Sequence, residues 1–336
     1  MRQVSKIILG ALSIIIFFLS ACTNGEDHSP YEDMLLQSPF APLTDSIKKE
    51  PKRDELYFRR AVLLNKNNLP EPALADFKKA WSLKKQERYA LGIGNILLDK
   101  KPDSAVTFIN EALKNLPNSI LLRLNLARAY QAQNKIPDAL NVCGKILEID
   151  PQQLDALMLK ADLLDQENNT SAAISTLEQA YAINPSIEEL DYNLAYKYAS
   201  TKNPKTLAFC DTLLKKDSLN EHPEPLYFKG VYYENTGDKN KALEFLNQAI
   251  VRDYTFLDAY MNKGRILYDQ KKYNDAIKVY RLALNVQSTY ADAYFWMGKC
   301  QEALGQKTDA KLNYERAYGL DKTLTEAKDA ADRIKN

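Results

Sequence analysis

The sequence predicts an all-α fold, an α-α superhelical solenoid of about eight helical pairs closed by a C-terminal capping helix. The main observation is a 34-residue period: Gly230, Gly264 and Gly298 keep it, and an alanine follows each of them after twelve and after nineteen positions. Between the turns, apolar residues recur at the 3.6-residue spacing of a helix. Only 11 glycines in 336 residues argue against a turn-rich β fold. Repeats of this length stack on their neighbours and bury one long core.

The periodic positions extend towards the N-terminus. The corresponding positions of three earlier repeats, taken in reverse order along the chain, are occupied by Ala161, Ala173, Ala180 and Pro185, then Ala127, Tyr130, Ala139 and Pro151, and finally Tyr57, Ala61, Leu64, Ala73, Phe77 and Ala80. This pattern resembles the tetratricopeptide repeat (TPR), which has a large residue at position 4, Gly or Ala at 8, Ala at 20, a large apolar residue at 24 and Ala at 27. The resemblance implies two antiparallel helices in each unit.

The register predicts one continuous domain over residues 39–336. Its repeats are 54–87, 88–119, 120–153, 154–187, 188–222, 223–256, 257–290 and 291–324, and the cap is 325–336. The second repeat is two residues short and carries Gly92 and Gly94 in its first helix, whereas the fifth is one residue long. The polar cap is expected because a terminal repeat has no neighbour to cover its apolar face.

The N-terminus carries a second pattern. Arg2 and Lys6 precede an apolar run from Ile7 to Leu19, which is short for a membrane span and has the form of a signal peptide. The run ends in Leu-Ser-Ala followed by Cys22, which resembles the lipobox of bacterial lipoproteins. The resemblance implies a signal peptide over 1–21, a lipidated Cys22 and a flexible tether over 22–38. An ordinary signal peptide, or an N-terminal anchor with a chance cysteine, is the alternative.

The residue after the cysteine bears on localisation. Thr23 replaces the aspartate that retains lipoproteins at the inner membrane, so the resemblance implies a lipid-anchored protein of the Gram-negative outer membrane. Glu26 and Asp27 look like an acidic tether for surface display, but any solvated tether has such residues. The periplasmic and the surface face both stay open.

The sequence offers little for catalysis. It has two histidines, His28 and His222, and no nucleophile elbow, zinc-binding helix, phosphate loop or Cys-x-x-Cys pair, so we expect no enzyme, no cofactor and no metal. Asp162 with Asp165 is the one carboxylate pair in the groove worth testing. Cys143, Cys210 and Cys300 lie in different repeats, which predicts buried free thiols.

Charge is distributed unevenly. Residues 45–101 hold fourteen Lys and Arg against eight acids, and residues 102–199 hold seven against thirteen. A near-neutral chain lacks the basic surface that nucleic acid requires. Acids recur at position 2 of the repeats, and they are explained either by the helix macrodipole or by an acidic stripe that binds a ligand.

Function is therefore expected on the surface. In the TPR family, positions 2, 5, 6, 9, 12 and 13 of the first helices line a concave groove. Carried over to the last four repeats, these positions predict a partner-binding groove of Tyr192, Asn193, Tyr196, Tyr227, Phe228, Met261, Asn262, Arg265, Phe295, Trp296 and Lys299. The aromatic residues and Met261 avoid the core positions 4, 11 and 24, so we expect them to lie outside the core; the alternative is that the groove residues merely pack on one another. Aromatic side chains with adjacent amides are typical of protein-binding surfaces.

The sequence thus predicts a membrane-anchored, non-catalytic scaffold or adaptor. Its groove binds a partner protein or peptide in envelope assembly, secretion or peptidoglycan processing. The alternative is a glycan-binding lipoprotein of a nutrient-uptake system, although no insertion for a sugar site interrupts the register.

The anchor yields the first testable prediction. Replacing Cys22 with Ser removes the thiol that would carry the lipid, so lipid attachment and cleavage before residue 22 are both expected to stop. Mass spectrometry of the N-terminus from wild type and variant measures this. A wild-type protein with an unmodified Cys22, or with a mature N-terminus elsewhere, would contradict the lipoprotein assignment.

Overall fold

The computed structural model describes residues 31–334; the predicted signal peptide, Cys22 and the first part of the predicted tether lie outside them. Within the described residues every regular element is an α-helix. The helices are α1 Glu32–Leu35, α2 Ala41–Lys49, α3 Asp54–Lys66, α4 Pro70–Leu83, α5 Glu87–Lys100, α6 Pro102–Asn115, α7 Ile120–Ala132, α8 Ile136–Ile149, α9 Leu154–Gln166, α10 Thr170–Ile183, α11 Glu188–Ser200, α12 Lys205–Lys216, α13 Glu224–Thr236, α14 Lys239–Arg252, α15 Leu257–Asp269, α16 Tyr273–Val286, α17 Ala291–Ala303, α18 Lys307–Leu320 and α19 Thr325–Arg333. The predicted all-α class is confirmed.

The chain divides into two compact units, which meet in the sequence between Ile96 and Leu97. In the first unit, α2 packs on α3 and α3 on α4. Arg60 of α3 forms a buried ion pair with Asp76 of α4, at 2.6 Å between Nε and Oδ2, and also donates to Thr44 of α2 at 3.0 Å. Burial raises the pKa of Asp76, and its hydrogen bond from Arg60 opposes that rise. Three helices are thus joined by one polar network.

The second unit is a succession of helical pairs. From α6 to α19 each helix packs on the next one in the chain, as expected for a solenoid. The predicted capping helix is α19, which buries Ala327, Ala330 and Ala331 and whose Arg333 pairs with Glu302 at 2.7 Å. At the other end, α5 runs without a break through Gly92 and Gly94, and Lys101 alone separates it from α6. That short connection accounts for the two residues missing from the second repeat.

The small residues lie where two helices approach most closely. A Cβ atom added to Gly264 would come within 2.3 Å of the Tyr280 ring, and one added to Gly298 would come within 2.8 Å of Tyr314. Both pairs join position 8 to position 24 of one repeat. The alanines at positions 8, 20 and 27 are fully buried, as at Ala161, Ala276 and Ala283.

Two local features, a left-handed turn residue and a tyrosine hydrogen bond, recur in several repeats. The turn between the helices of a pair holds one residue in the left-handed region, filled by glycine at Gly237 and Gly305 and by asparagine at Asn134 and Asn168. Tyrosine at position 4 donates a hydrogen bond to the carbonyl six residues earlier: Tyr57 to Pro51, Tyr260 to Tyr254 and Tyr294 to Ser288, at 3.1, 3.0 and 3.2 Å. These bonds fix the start of each pair against the preceding turn.

The cysteines Cys143, Cys210 and Cys300 are free and buried, as predicted. Burial raises the pKa of their thiols to about 11, 12 and 12, respectively. They therefore act as small apolar core residues. No helix among residues 31–334 combines the length and the apolar character needed to cross a membrane.

Two glycines that both lie within helices test the packing. Gly264→Ala forces a methyl group into the Tyr280 ring and is expected to lower the free energy of unfolding by about 1–3 kcal/mol. Gly144→Ala, with no atom within 4 Å of the added methyl, is expected to raise it by about 0.5–1 kcal/mol because alanine favours the helix. Urea unfolding measures both, and equal effects of the two substitutions would disprove the close contact.

Candidate functional site

The first helices of successive pairs in the second unit expose one face, and two cavities open on it. The C-terminal one, the aromatic cavity, has a volume of about 470 Å³. It is lined by Tyr196 of α11, Tyr227, Val231, Glu234 and Asn235 of α13, Asn262, Arg265 and Asp269 of α15, and Trp296 of α17. All nine stand at positions 5, 6, 9, 12 or 13 of their repeats, so the repeat register selects this face.

A chain of hydrogen bonds orders the wall of the aromatic cavity. Asn262 donates to the Tyr227 hydroxyl at 3.2 Å, and Arg265 donates to the Asn262 side-chain oxygen. Asn235 reaches back to the Ala199 carbonyl at 3.1 Å and joins α13 to α11. The buried amide of Asn262 therefore orients both a phenol and a guanidinium.

The electrostatics of the cavity reflect partial burial. Burial, with the nearby Asp258 carboxylate, raises the pKa of Tyr227 to about 12, so its phenol stays protonated near neutral pH. Burial also raises the pKa of Glu234, and the positive charge of Arg265 opposes that rise. Within residues 31–334, Arg265 has no carboxylate at ion-pair distance. Its charge is available to a ligand.

Five of the eleven predicted groove residues, Tyr196, Tyr227, Asn262, Arg265 and Trp296, line this cavity. Tyr192 is half-buried, with its ring against Phe228 at 6.5 Å and His222 at 6.3 Å, and Asn193 is also half-buried. Lys299 lies over the Trp296 ring at 4.8 Å and pairs with Glu326 of α19 at 3.5 Å. These three flank the cavity without lining it.

The expectation that the aromatic residues and Met261 of the groove lie outside the core is wrong for three of them. Phe228, Met261 and Phe295 are buried and belong to core clusters. Phe295, at position 5, is 7% exposed because it packs towards α18 and α19, with its ring 5.9 Å from Tyr314. Phe228 shares its cluster with residues of the preceding repeat and Met261 with residues of the following one, so these side chains serve packing between repeats.

Four lining residues were not named from the sequence: Val231, Glu234, Asn235 and Asp269. They stand at positions 9, 12 and 13, which the repeat register already assigns to the groove. Carrying over every groove position of each repeat, including positions 12 and 13, would have predicted them.

The second cavity, the acidic cavity, has a volume of about 750 Å³ and lies among α5, α7, α9 and α11. Its charged residues are Asp99, Arg128, Asp155, Asp162 and Glu189, and the others are Leu98, Gln131, Ala132, Met158, Leu159 and Gln166. None of the five charged side chains forms an ion pair within the described chain.

The structure separates Asp162 from Asp165, the carboxylate pair that the sequence offered for catalysis. Asp165 is outside the lining and is held by Lys197 of the next repeat at 2.6 Å, so of this pair only Asp162 faces the cavity. Burial raises the pKa of Asp162; Lys197 opposes this rise and Glu189 and Asp165 reinforce it. Among residues 31–334 no group of three or more His, Cys, Asp or Glu side chains is arranged to hold a metal ion.

Comparison with protein families agrees with this geometry. A family described as "TPR repeat" matches residues 264–305, and families described as "Tetratricopeptide repeat" match residues 97–163, 154–187, 223–253 and 292–319. The chain is built of tetratricopeptide repeats. The matches cover most of the helical pairs that form the two cavities.

Solved structures share the fold. A tetratricopeptide repeat protein from Parabacteroides merdae superposes with a TM-score of 0.61 at 18% identity, over 74% of this TPR chain and 98% of the other. PilW, described as a type IV pilus biogenesis factor, superposes with a TM-score of 0.51 at 18% identity, over 61% and 94% of the two chains. At these identities the similarity shows the fold alone.

A curated relative, the human "DnaJ homolog subfamily C member 7", is 25% identical to this chain over 271 residues. The match covers 79% of this TPR chain but only 49% of the human protein. This chain therefore corresponds to about half of that relative.

The different burial of the predicted groove residues gives a testable prediction. Phe295→Ala empties a core site and is expected to cost about 3–5 kcal/mol of unfolding free energy. Tyr196→Ala, at a side chain that is 46% exposed, is expected to cost much less, about 0.5 kcal/mol. Denaturant melts of the two variants measure this, and similar losses would place Phe295 on the surface.

Proposed function

We propose that this TPR protein is a non-catalytic adaptor that binds an extended segment of another protein in the groove of its second unit. The aromatic cavity carries this proposal. It combines Tyr196, Tyr227 and Trp296 with Arg265, and aromatic rings and arginine are the side chains that most often anchor protein interfaces. A concave surface rigidly built on helices needs little reordering when a partner binds.

We further propose that the adaptor is anchored by lipid at Cys22 to the outer membrane, on its periplasmic or surface face. The sequence alone supports this: the basic residues Arg2 and Lys6, the apolar run that follows them and the Leu-Ser-Ala-Cys motif. A diacyl or triacyl cysteine would hold the chain stably, since two or more chains are needed for firm attachment. The proposed role is in envelope assembly, secretion or peptidoglycan processing.

Partner capture tests the groove. The double variant Tyr196→Ala, Arg265→Ala removes an exposed ring and an unpaired guanidinium, so partner recovery should fall about tenfold or more, as for the loss of interface anchors. Quantitative mass spectrometry of proteins co-purified with the detergent-extracted chain measures this.

Tyr254→Ala is the matched control, because it also removes a tyrosine ring that is 71% exposed but lies outside both cavities. Both proteins must first show the same urea midpoint as wild type. Equal recovery of every partner by wild type, double variant and control would refute binding at the aromatic cavity.

A further inference from the structure

The two cavities belong to one groove because α11 contributes to both. Glu189, in the first turn of α11, lines the acidic cavity, and Tyr196 of the same helix lines the aromatic cavity. Seven residues are two helical turns, so the two side chains project from the same side of α11, about 10 Å apart along its axis. Asn193 lies between them on this helix, so a ligand in one cavity can continue into the other.

The acidic cavity carries uncompensated negative charge. Asp99, Asp155, Asp162 and Glu189 face it with Arg128 as the only base in its lining, and none of them is neutralised by an ion pair within the described chain. Elsewhere in the groove, Asp165 is neutralised by Lys197. The cavity therefore attracts cationic groups.

Helix stability does not explain all of these carboxylates. Asp155 and Glu189 lie in the first turns of α9 and α11, where the macrodipole favours an acid. Asp162 is the ninth of thirteen residues in α9, and Asp99 is the last residue but one of α5, where the macrodipole opposes an acid. Two unpaired acids thus stand where the macrodipole does not favour them and face the same cavity.

We infer that the groove binds an extended peptide segment that places a lysine or arginine in the acidic cavity and an aromatic or large aliphatic side chain in the aromatic cavity. This inference rests on the proposed function and names the chemistry of its partner. An extended chain advances about 3.3 Å per residue, so the two anchors are separated by at least about three residues.

A random 12-residue peptide library displayed on phage is the probe, selected on the full-length chain in detergent. Enriched peptides are synthesised, and their affinities are measured for wild type and for two isosteric double variants. Asp162→Asn, Glu189→Gln removes two charges from the acidic cavity. Asp138→Asn, Glu148→Gln removes two charges from exposed positions of α8, outside the groove, and is the matched control.

The expected result is enrichment of peptides with Lys or Arg separated from an apolar anchor by three or more residues. Their affinity should fall about tenfold in the cavity variant and stay within about twofold of wild type in the control. Enriched peptides without basic residues, or equal affinities for the two double variants, would overturn this inference and leave the proposed function standing. A library that yields no enriched peptide would refute both.

Discussion

The close contact between position 8 and position 24 of each repeat is the constraint on which the rest depends. Where Tyr280 or Tyr314 occupies position 24, only glycine leaves room for the ring at position 8. This contact lets the two helices of a pair approach closely, and the fully buried alanines at positions 20 and 27 let neighbouring helices approach in the same way. These few positions therefore set how closely the helices of the second unit pack.

Because the core uses these positions, the exposed face of the first helices is free to vary. Tyr196 and Glu189 stand on one helix, yet one contributes an aromatic ring and the other a carboxylate, to two cavities of different chemistry. Asn262 differs from these exposed residues because it is buried, and its amide forms hydrogen bonds with both Tyr227 and Arg265. Side chains held by such a network lose less freedom when a ligand binds.

The period alone was enough to predict the helical pairs, the cap and the face that carries the cavities, because each of these depends only on which residues recur every 34 positions. It could not predict how far each repeat covers the one before. Met261 and Phe295 share position 5 with Tyr227, yet the first two are buried and the third lines a cavity. That difference depends on the angle between successive pairs, which is set by side-chain volumes on both sides.

The ion pairs of the groove also depend on how neighbouring repeats stack, so the period could not predict them. Lys197 reaches Asp165 across adjacent repeats, 32 positions away in the sequence, and leaves Asp162 without an ion pair. Asp162 and Asp165 are only three residues apart, within one helical turn, and look equivalent in a repeat pattern, but Lys197 on the next first helix neutralises Asp165 and not Asp162. In a solenoid the contacts between neighbouring repeats thus decide which groove charges remain available to a ligand, and the stacking of repeats affects recognition as well as stability.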